Sequence, residues 1–408
     1  MYTNLKQLAA LMAVLLLFPL GMQAQQEEDS ENGVVSLAGR EGFTLKTKKG
    51  DFVFKPYLLV QTTAEFNYYD DEGLDAAYNQ DNVDNTGFSI PYAILGFTGK
   101  AFGKVTFNLS INAAKTGGNL LQQAWFDIQL KKQFAIRVGK FKTPFSHAYL
   151  TTLGETLFPT IPTSLTASVI LPYTLNDVTP SIATGFDLGV EVHGLLKDKF
   201  GYEVGIFNGT GSSVNVADKT LSDDWHIPSL LYAARFTYMP KGVMPSNQGS
   251  PNRLHEDKML FGISASLNVE SESESTNDFR AGAEFAMLKN RLYIGAEFYF
   301  MNIGFTERQK IDEHYNYIGG YVQGGYFVTK KLQAALRYDF FNRNGLNKDG
   351  ILSMPAVGFN YFITSCNLKF QAMYQYTART GHETQLDRDN DDLGLAMHSG
   401  TLLLQYTF

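Results

Sequence analysis

"VTFNLSINA", Val105 to Ala113, is the stretch that decides the fold. Val105, Phe107, Leu109, Ile111 and Ala113 fall on one side of an extended chain; Thr106, Asn108, Ser110 and Asn112 fall on the other. Strict alternation of this kind means a strand with one apolar and one polar face. One such strand fits a soluble sandwich as well as a membrane barrel, and repetition separates the two. The dyad returns in "LLVQTTAEFNY" (Leu58 to Tyr68), "AWFDIQL" (Ala124 to Leu130) and "MLFGISASLNV" (Met259 to Val269). It returns again in "LYIGAEFYF" (Leu292 to Phe300), "LQAALRYDF" (Leu332 to Phe340) and "NLKFQAMYQY" (Asn367 to Tyr376). About sixteen such segments run along the chain, at the roughly 9–11 residues a tilted membrane strand requires. The first eight are expected to start near Lys55, Phe88, Lys104, Leu121, Phe134, Phe186, Tyr202 and Leu230. The second eight start near Met259, Phe279, Leu292, Tyr317, Leu332, Leu352, Asn367 and Thr401.

The connections sort by parity. After even-numbered strands they are mostly short: "KAFG", "KKQ", "LKDKFG", "LKNR", "VTKK" and "ITSCN". After odd-numbered strands they run longer, as in Tyr69 to Gly87, Lys142 to Gly185, Asn208 to Ser229 and Ala378 to His398. Short turns at one end and long loops at the other mark an outer-membrane barrel, and a soluble sandwich has no reason to segregate them. One connection breaks the rule: "PKGVMPSNQGSPNRLHED", Pro240 to Asp257, is long where a short turn is expected. The fold expected is therefore all-β, a transmembrane antiparallel β-barrel of about sixteen strands.

Composition agrees. The chain has 31 Phe, 22 Tyr and 37 Gly with 18% charged residues, a mixture suited to strands and tight turns. The net charge of −7 gives no basic surface for nucleic acid. One cysteine, Cys366, excludes an internal disulfide framework. None of the seven histidines shows metal-ligand spacing, and no cofactor is expected. Lys6, the apolar run Leu8 to Leu20, and "GMQA" before residue 25 read as a secretory signal peptide over 1–24. Residues 25–50, opening with the acidic "QQEEDSEN", read as a flexible periplasmic leader, and 51–408 as the barrel. The last stretch, "TLLLQYTF", alternates up to Phe408, so its strand is expected to close the sheet against the first. A terminal aromatic on such a strand resembles the signal read by the outer-membrane insertion machinery.

Several stretches resemble the phosphate-selective porin O/P family. They are "GFTLKTKKGDFVFKPYLLVQ" (Gly42 to Gln61), "RVGKFKTPFS" (Arg137 to Ser146), "DLGVEVHG" (Asp187 to Gly194), "YEVGIFNGTG" (Tyr202 to Gly211) and "ARFTYMP" (Ala234 to Pro240). The most specific is "RVGKFKTPFS", similar to the family's "G-x-F-K-x-P-F" strand before its long third loop. The resemblance implies a homotrimeric channel for anions in the outer membrane of a Gram-negative bacterium, among lipid and lipopolysaccharide. It also implies a third loop that folds inward and narrows each pore. Where the family carries arginines before "L-G-F-x-G", this chain has "FSIPYAILGFTGK", with no basic residue before Lys100.

Selectivity is expected from the inward faces. The polar phase of each strand puts Arg137, Arg235, Arg280, Arg337 and Lys369 in the lumen. It puts Glu65, Asp127, Asp187, Glu191, Glu203, Glu284, Glu297 and Asp339 there as well. Five bases against eight acids make no anion ladder, because selectivity rings carry one sign. The charges are expected to pair across the wall of a water-filled lumen, with weak selectivity and a mild lean to cations. Lys140, Lys142 and His147 at the start of the third loop, with Glu155 and Asp177 inside it, are expected at the constriction. Asp387, Asp389 and Asp391 in "DRDNDD" begin a calcium-loop spacing, but the turn glycine and closing glutamate are missing, which favours a solvated loop. Ser146 beside His147 is sequence adjacency and does not make a catalytic pair. The chain reads as a passive porin for small hydrophilic solutes or ions; the alternative is a plugged barrel acting as an interaction scaffold.

Overall fold

In the computed structural model, the described residues are 34–39, 42–69, 74–75, 80–81, 84–115, 120–166, 186–209, 230–269, 276–305, 314–342, 351–380 and 396–408. One sheet of eighteen strands holds almost all of the strand structure; two of them form an N-terminal hairpin and sixteen close into a barrel. In chain order the barrel strands begin with β1 (Val53–Tyr69), β2 (Asn85–Ala101), β3 (Val105–Asn112) and β4 (Leu121–Lys131). Next come β5 (Phe134–Lys142), β6 (Phe186–Leu196), β7 (Phe200–Phe207) and β8 (Leu231–Tyr238). The second half has β9 (Asp257–Asn268), β10 (Thr276–Lys289), β11 (Leu292–Phe305) and β12 (His314–Phe327). It ends with β13 (Leu332–Asn342), β14 (Ile351–Thr364), β15 (Leu368–Thr380) and β16 (Ala396–Thr407).

Each strand pairs antiparallel with the next, and β16 returns to β1 from Met397↔Tyr69 to Thr407↔Leu59. Beyond that ladder, Leu58 and Phe408 exchange backbone hydrogen bonds of 3.2 and 3.3 Å. Among the described residues closure pairs each barrel strand on both sides, as a solvent that cannot hydrogen-bond to an open edge requires.

The alternation read from sequence is the alternation of the wall. On β13, Leu336 is 66% exposed on the lipid side and its neighbour Arg337 is 4% exposed on the inside. Phe298, Val322, Leu109 and Leu404 join the outer face. Short turns suit the ladder twist: Lys197 and Asp198 take φ of 50° and 58°, the left-handed pair of a tight hairpin.

The leader expected to be flexible over 25–50 is not wholly so. Val34–Gly39 and Gly42–Thr47 pair as a hairpin whose second strand continues onto β1 through Leu45↔Phe54 and Lys46↔Val53. Residues 1–33, including the expected signal peptide, lie outside the described residues.

The lumen is not a simple water-filled tube. Two connections enter it, Thr143–Thr166 after β5 and Pro240–Glu256 after β8. Leu157 and Phe158 from the first and Met244 from the second are buried with the wall residues Leu260, Tyr293 and Met373 in one apolar cluster.

The lumen as candidate functional site

The strand that leads into the inward loop carries a glycine its backbone requires. Gly139 on β5 has φ of +128°, and a Cβ there would lie 2.1 Å from the Ala124 carbonyl oxygen, so only glycine fits. Three residues after Lys142 the chain reaches Phe145 and then Ser146, whose φ of 62° is strained for a residue with a side chain. Ser146 is held there because its Oγ accepts from Tyr149 N at 3.1 Å, capping the short helix α1 (His147–Leu150), while its own N donates to Ser264 Oγ. The hydroxyl also lies 3.4 Å from Tyr299 OH. It serves the fold as a cap.

From there the loop crosses to the far wall and docks on it. Glu297 on β11 accepts from Ala148 N at 2.7 Å and from the hydroxyls of Tyr299 and Tyr321. Asp339 on β13 accepts from Thr163 N at 2.6 Å and Ser164 N at 3.4 Å, at the start of α2 (Thr163–Leu165). Arg337 donates to Thr160 O at 2.8 Å and lies over the Phe158 ring at 4.7 Å. Lys369 and Gln371 on β15 both donate to Thr156 O, Asn360 on β14 to Leu157 O, and Gln405 on β16 to Gly154 O. The turn Pro240–Glu256 meets the loop from the other end: Thr152 N donates to Ser246 O, Gln248 N to Glu155 O, and Leu157 N to Gln248 Oε1.

Most of the charges expected inside are buried, and several are closely paired. Arg235 holds Glu284 through Nε and Nη2 at 2.7 and 3.1 Å and Glu203 through Nη1 at 2.7 Å. Arg137 holds Asp127 through Nε and Nη2 and Glu191 through Nη1, and His193 Nε2 lies 2.8 Å from the same Asp127 oxygen. Asp187 accepts from Gly209 N at 2.6 Å. Arg280 is 7% exposed, whereas Glu65 is exposed. The correction to the sequence reading is that acids such as Glu297 and Asp339 bond to the loop's N–H groups rather than facing water.

Two constriction candidates lie away from the lumen cavities. His147 is buried between loop and wall and lines neither lumen cavity described below; its Nε2 has no hydrogen-bond partner among the described residues. Burial and the nearby Arg235 charge push its pKa down to about 3, so the ring is neutral at ordinary pH. Lys140 is buried within electrostatic reach of Asp187 and lines neither cavity. Asp177, Asp387, Asp389 and Asp391 lie outside the described residues.

Among the described residues, open space lies on the β1–β5 side and reaches the β14–β15 turn and the end of β16. A cavity of about 710 Å³ is bounded there by wall and loop, and a smaller one of about 140 Å³ adjoins it. They share Gln122, Lys142, Thr151, Leu153 and Phe186, which form a waist. Lys142 donates from Nζ to Tyr149 O and to Thr151 O at 3.1 Å, with Tyr149 and Phe186 rings beside it. The charged side chains lining the larger cavity are Lys55, Arg137, Lys142 and Glu155. Burial pushes the Glu155 carboxyl above its ordinary range, with Arg253 and Lys369 partly offsetting this. Sequence reasoning missed Lys55, although it shares the inward phase of Gln61 on β1. It also missed Gln122, which sits at an irregularity in the ladder that alternation cannot reveal.

The model of the family described as phosphate-selective porin O and P matches residues 60–408. No curated protein matches the sequence. Solved structures with the same fold include the outer-membrane channel DcaP of Acinetobacter baumannii, at TM-score 0.53 and 13% identity over 91% of this chain and 100% of that one. Salmonella typhi OmpF, solved with daunomycin, gives 0.53 and 12% over 92% and 100%. The trimer form of OmpT from Vibrio cholerae gives 0.52 and 10% over 88% and 99%.

Proposed function

The chain belongs to the phosphate-selective porin O and P family of the outer membrane, and from that premise we propose a solute path down the β1–β5 side of its lumen. The family and the fold are those of a channel rather than an enzyme. The observation that carries the path is the pair of cavities joined at Gln122 and Lys142, opposite a wall filled by loop and turn. Passive diffusion of small hydrophilic solutes or ions follows from a waist that carries the polar side chains Gln122, Lys142 and Thr151.

Charge selectivity along this path is weak. The whole-lumen count leans to acids, but the cavity is lined by three bases and one acid. Arg137 is neutralised by Asp127 and Glu191, and Lys142 is held by two carbonyls, which leaves a small net lean. Phosphate therefore does not block chloride current at sub-millimolar concentration. Three copies assemble as a homotrimer in this reading, as the family implies, with lipid and lipopolysaccharide around the apolar outer wall. The terminal strand is the element that the insertion machinery reads.

A second reading has one observation in its favour: the turn Pro240–Glu256 meets the inward loop and fills much of the lumen, as a plug would. Conductance separates the two. Purified protein in planar bilayers gives stable open steps if the path exists; a closed barrel overturns it in favour of a plugged scaffold.

A further inference from the structure

We propose that the waist carries a subsite for neutral polyhydroxylated solutes of the saccharide class, an inference that rests on the diffusion reading above. Its centre is a bulge. Along the β3–β4 ladder Ser110 pairs with Gln123 and Ile111 with Leu121, so Gln122 is an extra residue without a partner. In a regular strand Gln122 and Gln123 would point to opposite faces. The bulge turns both into the same cavity, the kind of re-aiming for which bulges occur beside binding sites.

Gln122 is 6% exposed, lines both cavities, and its Oε1 has no hydrogen-bond partner among the described residues. A buried acceptor left unpaired is costly, so a donor supplied by a passing solute is favoured there. Trp125, two residues further along the inward phase, donates from Nε1 to Gln123 Oε1 at 2.9 Å and lines the same cavity. Tyr57 faces it from β1, its hydroxyl donating to Asn108 Oδ1 at 3.1 Å.

Around the bulge the lining is carboxamide and aromatic ring, from Gln122, Gln123, Asn108, Trp125 and Tyr57, with Lys142 at the waist held by two backbone carbonyls. Amides give and accept hydrogen bonds without charge, matching vicinal hydroxyls. Aromatic surfaces combine an apolar body with polar handles, matching the C–H faces of a pyranose. An anion would need free guanidinium forks, and the Arg137 guanidinium spends Nε, Nη1 and Nη2 on carboxylates. The cavity is of the size that holds a small ligand.

The test uses the full chain in detergent and in bilayers. The sequence has two tryptophans, so Trp225→Phe leaves Trp125 as the sole indole reporter. Maltotriose is expected to change its emission saturably and to reduce KCl current, while the acyclic polyol sorbitol and inorganic phosphate do neither. Gln122→Leu is expected to weaken the maltotriose effect about 2- to 10-fold, the loss of one neutral hydrogen bond. The ligand series on the otherwise unaltered chain stands even if that variant misfolds. A response to phosphate and none to maltotriose overturns the subsite in favour of an anion site. KCl current with no maltotriose response overturns the subsite and leaves the diffusion reading intact. A saturable emission change without any current keeps the subsite and overturns the diffusion reading.

Discussion

The walls β10–β16 and β1–β5 follow the same alternating pattern and end in opposite states. On the first, Gln371 and Gln405 are fully buried and Gln333 is 1% exposed, all under the loop. On the second, Asn108, Gln123 and Arg137 keep partial exposure and line an open cavity. The difference teaches that an inward polar phase does not by itself mean a water-lined phase. Carboxylates on the packed wall serve as acceptors for loop N–H groups, so they fix the loop rather than set the field along the path. A surplus of acids over the whole lumen is thus compatible with a path whose lining leans slightly the other way.

The comparison predicts effects of decreasing size. Arg235→Ala on β8 takes the guanidinium from the packed wall's Glu284 on β10, whose side chain is 1% exposed, and is expected to cost about 3–5 kcal/mol. Arg137→Ala at the edge of the cavity is expected to cost less, because its side chain is 25% exposed and His193 stays on Asp127, although Glu191, 1% exposed, loses that guanidinium. Urea unfolding in detergent measures both, and equal costs would erase the distinction between the walls. On the lipid face the halves should not differ. Leu109→Arg and Leu336→Arg each put a charge into hydrocarbon, at roughly 2–4 kcal/mol near the midplane.

A smaller effect sharpens the contrast inside. By sequence phase, Asn108→Arg and Gln333→Arg should both be cheap, since both residues face inward. Gln333, however, is packed under the loop and accepts from Asn360 at 2.9 Å. Gln333→Arg is therefore expected to overpack the site by about 1–3 kcal/mol. Asn108→Arg is expected to stay within about 0.5 kcal/mol. Similar thermal midpoints for the two variants would contradict a packed half.

The smallest effect is electrostatic. The raised pKa of Glu155 means its carboxyl takes up a proton above the ordinary 4.5 as the medium is acidified. The folded loop favours the neutral form, so this contribution to loop docking is present in acid and lost as pH rises through the raised value. Below it the cavity keeps Lys55, Arg137 and Lys142 and loses its carboxylate, so reversal potentials in a KCl gradient should move toward anions. Glu155→Gln should show that lean at neutral pH and remove the acid-induced change. An unchanged acid response in this variant would assign the effect to another group.

Much of the fold was legible because the membrane imposes a period of two on every strand. Leu121, Phe134, Phe186, Leu292 and Leu332 begin strands where the alternation places them. The last strand was read too short, from Thr401 instead of Ala396, because "AMHSG" lacks the dyad; there His398 is held by Tyr374 OH at 2.6 Å. The inward loop was legible through its resemblance and prolines. Its partner, the turn Pro240–Glu256, was visible only as a break in loop parity. Which inward residues lie beneath the loop was not legible, since docking depends on tertiary contacts such as Glu297 to Ala148 that no local pattern encodes. Gln122 was hidden for a related reason: a bulge shifts the phase without leaving a mark in composition.

The location of the path is the central claim, and thiol labelling of single channels tests it most directly. Cys366 lines the larger cavity, so the background is Cys366→Ser. In that background, Asn108→Cys on the β1–β5 side should lose a large part of its current when a charged, water-soluble methanethiosulfonate reagent is added. Gln371→Cys, beneath the docked loop, should conduct unchanged. Loss of current at Gln371→Cys with none at Asn108→Cys would put the path through the wall described here as packed, and would contradict the account.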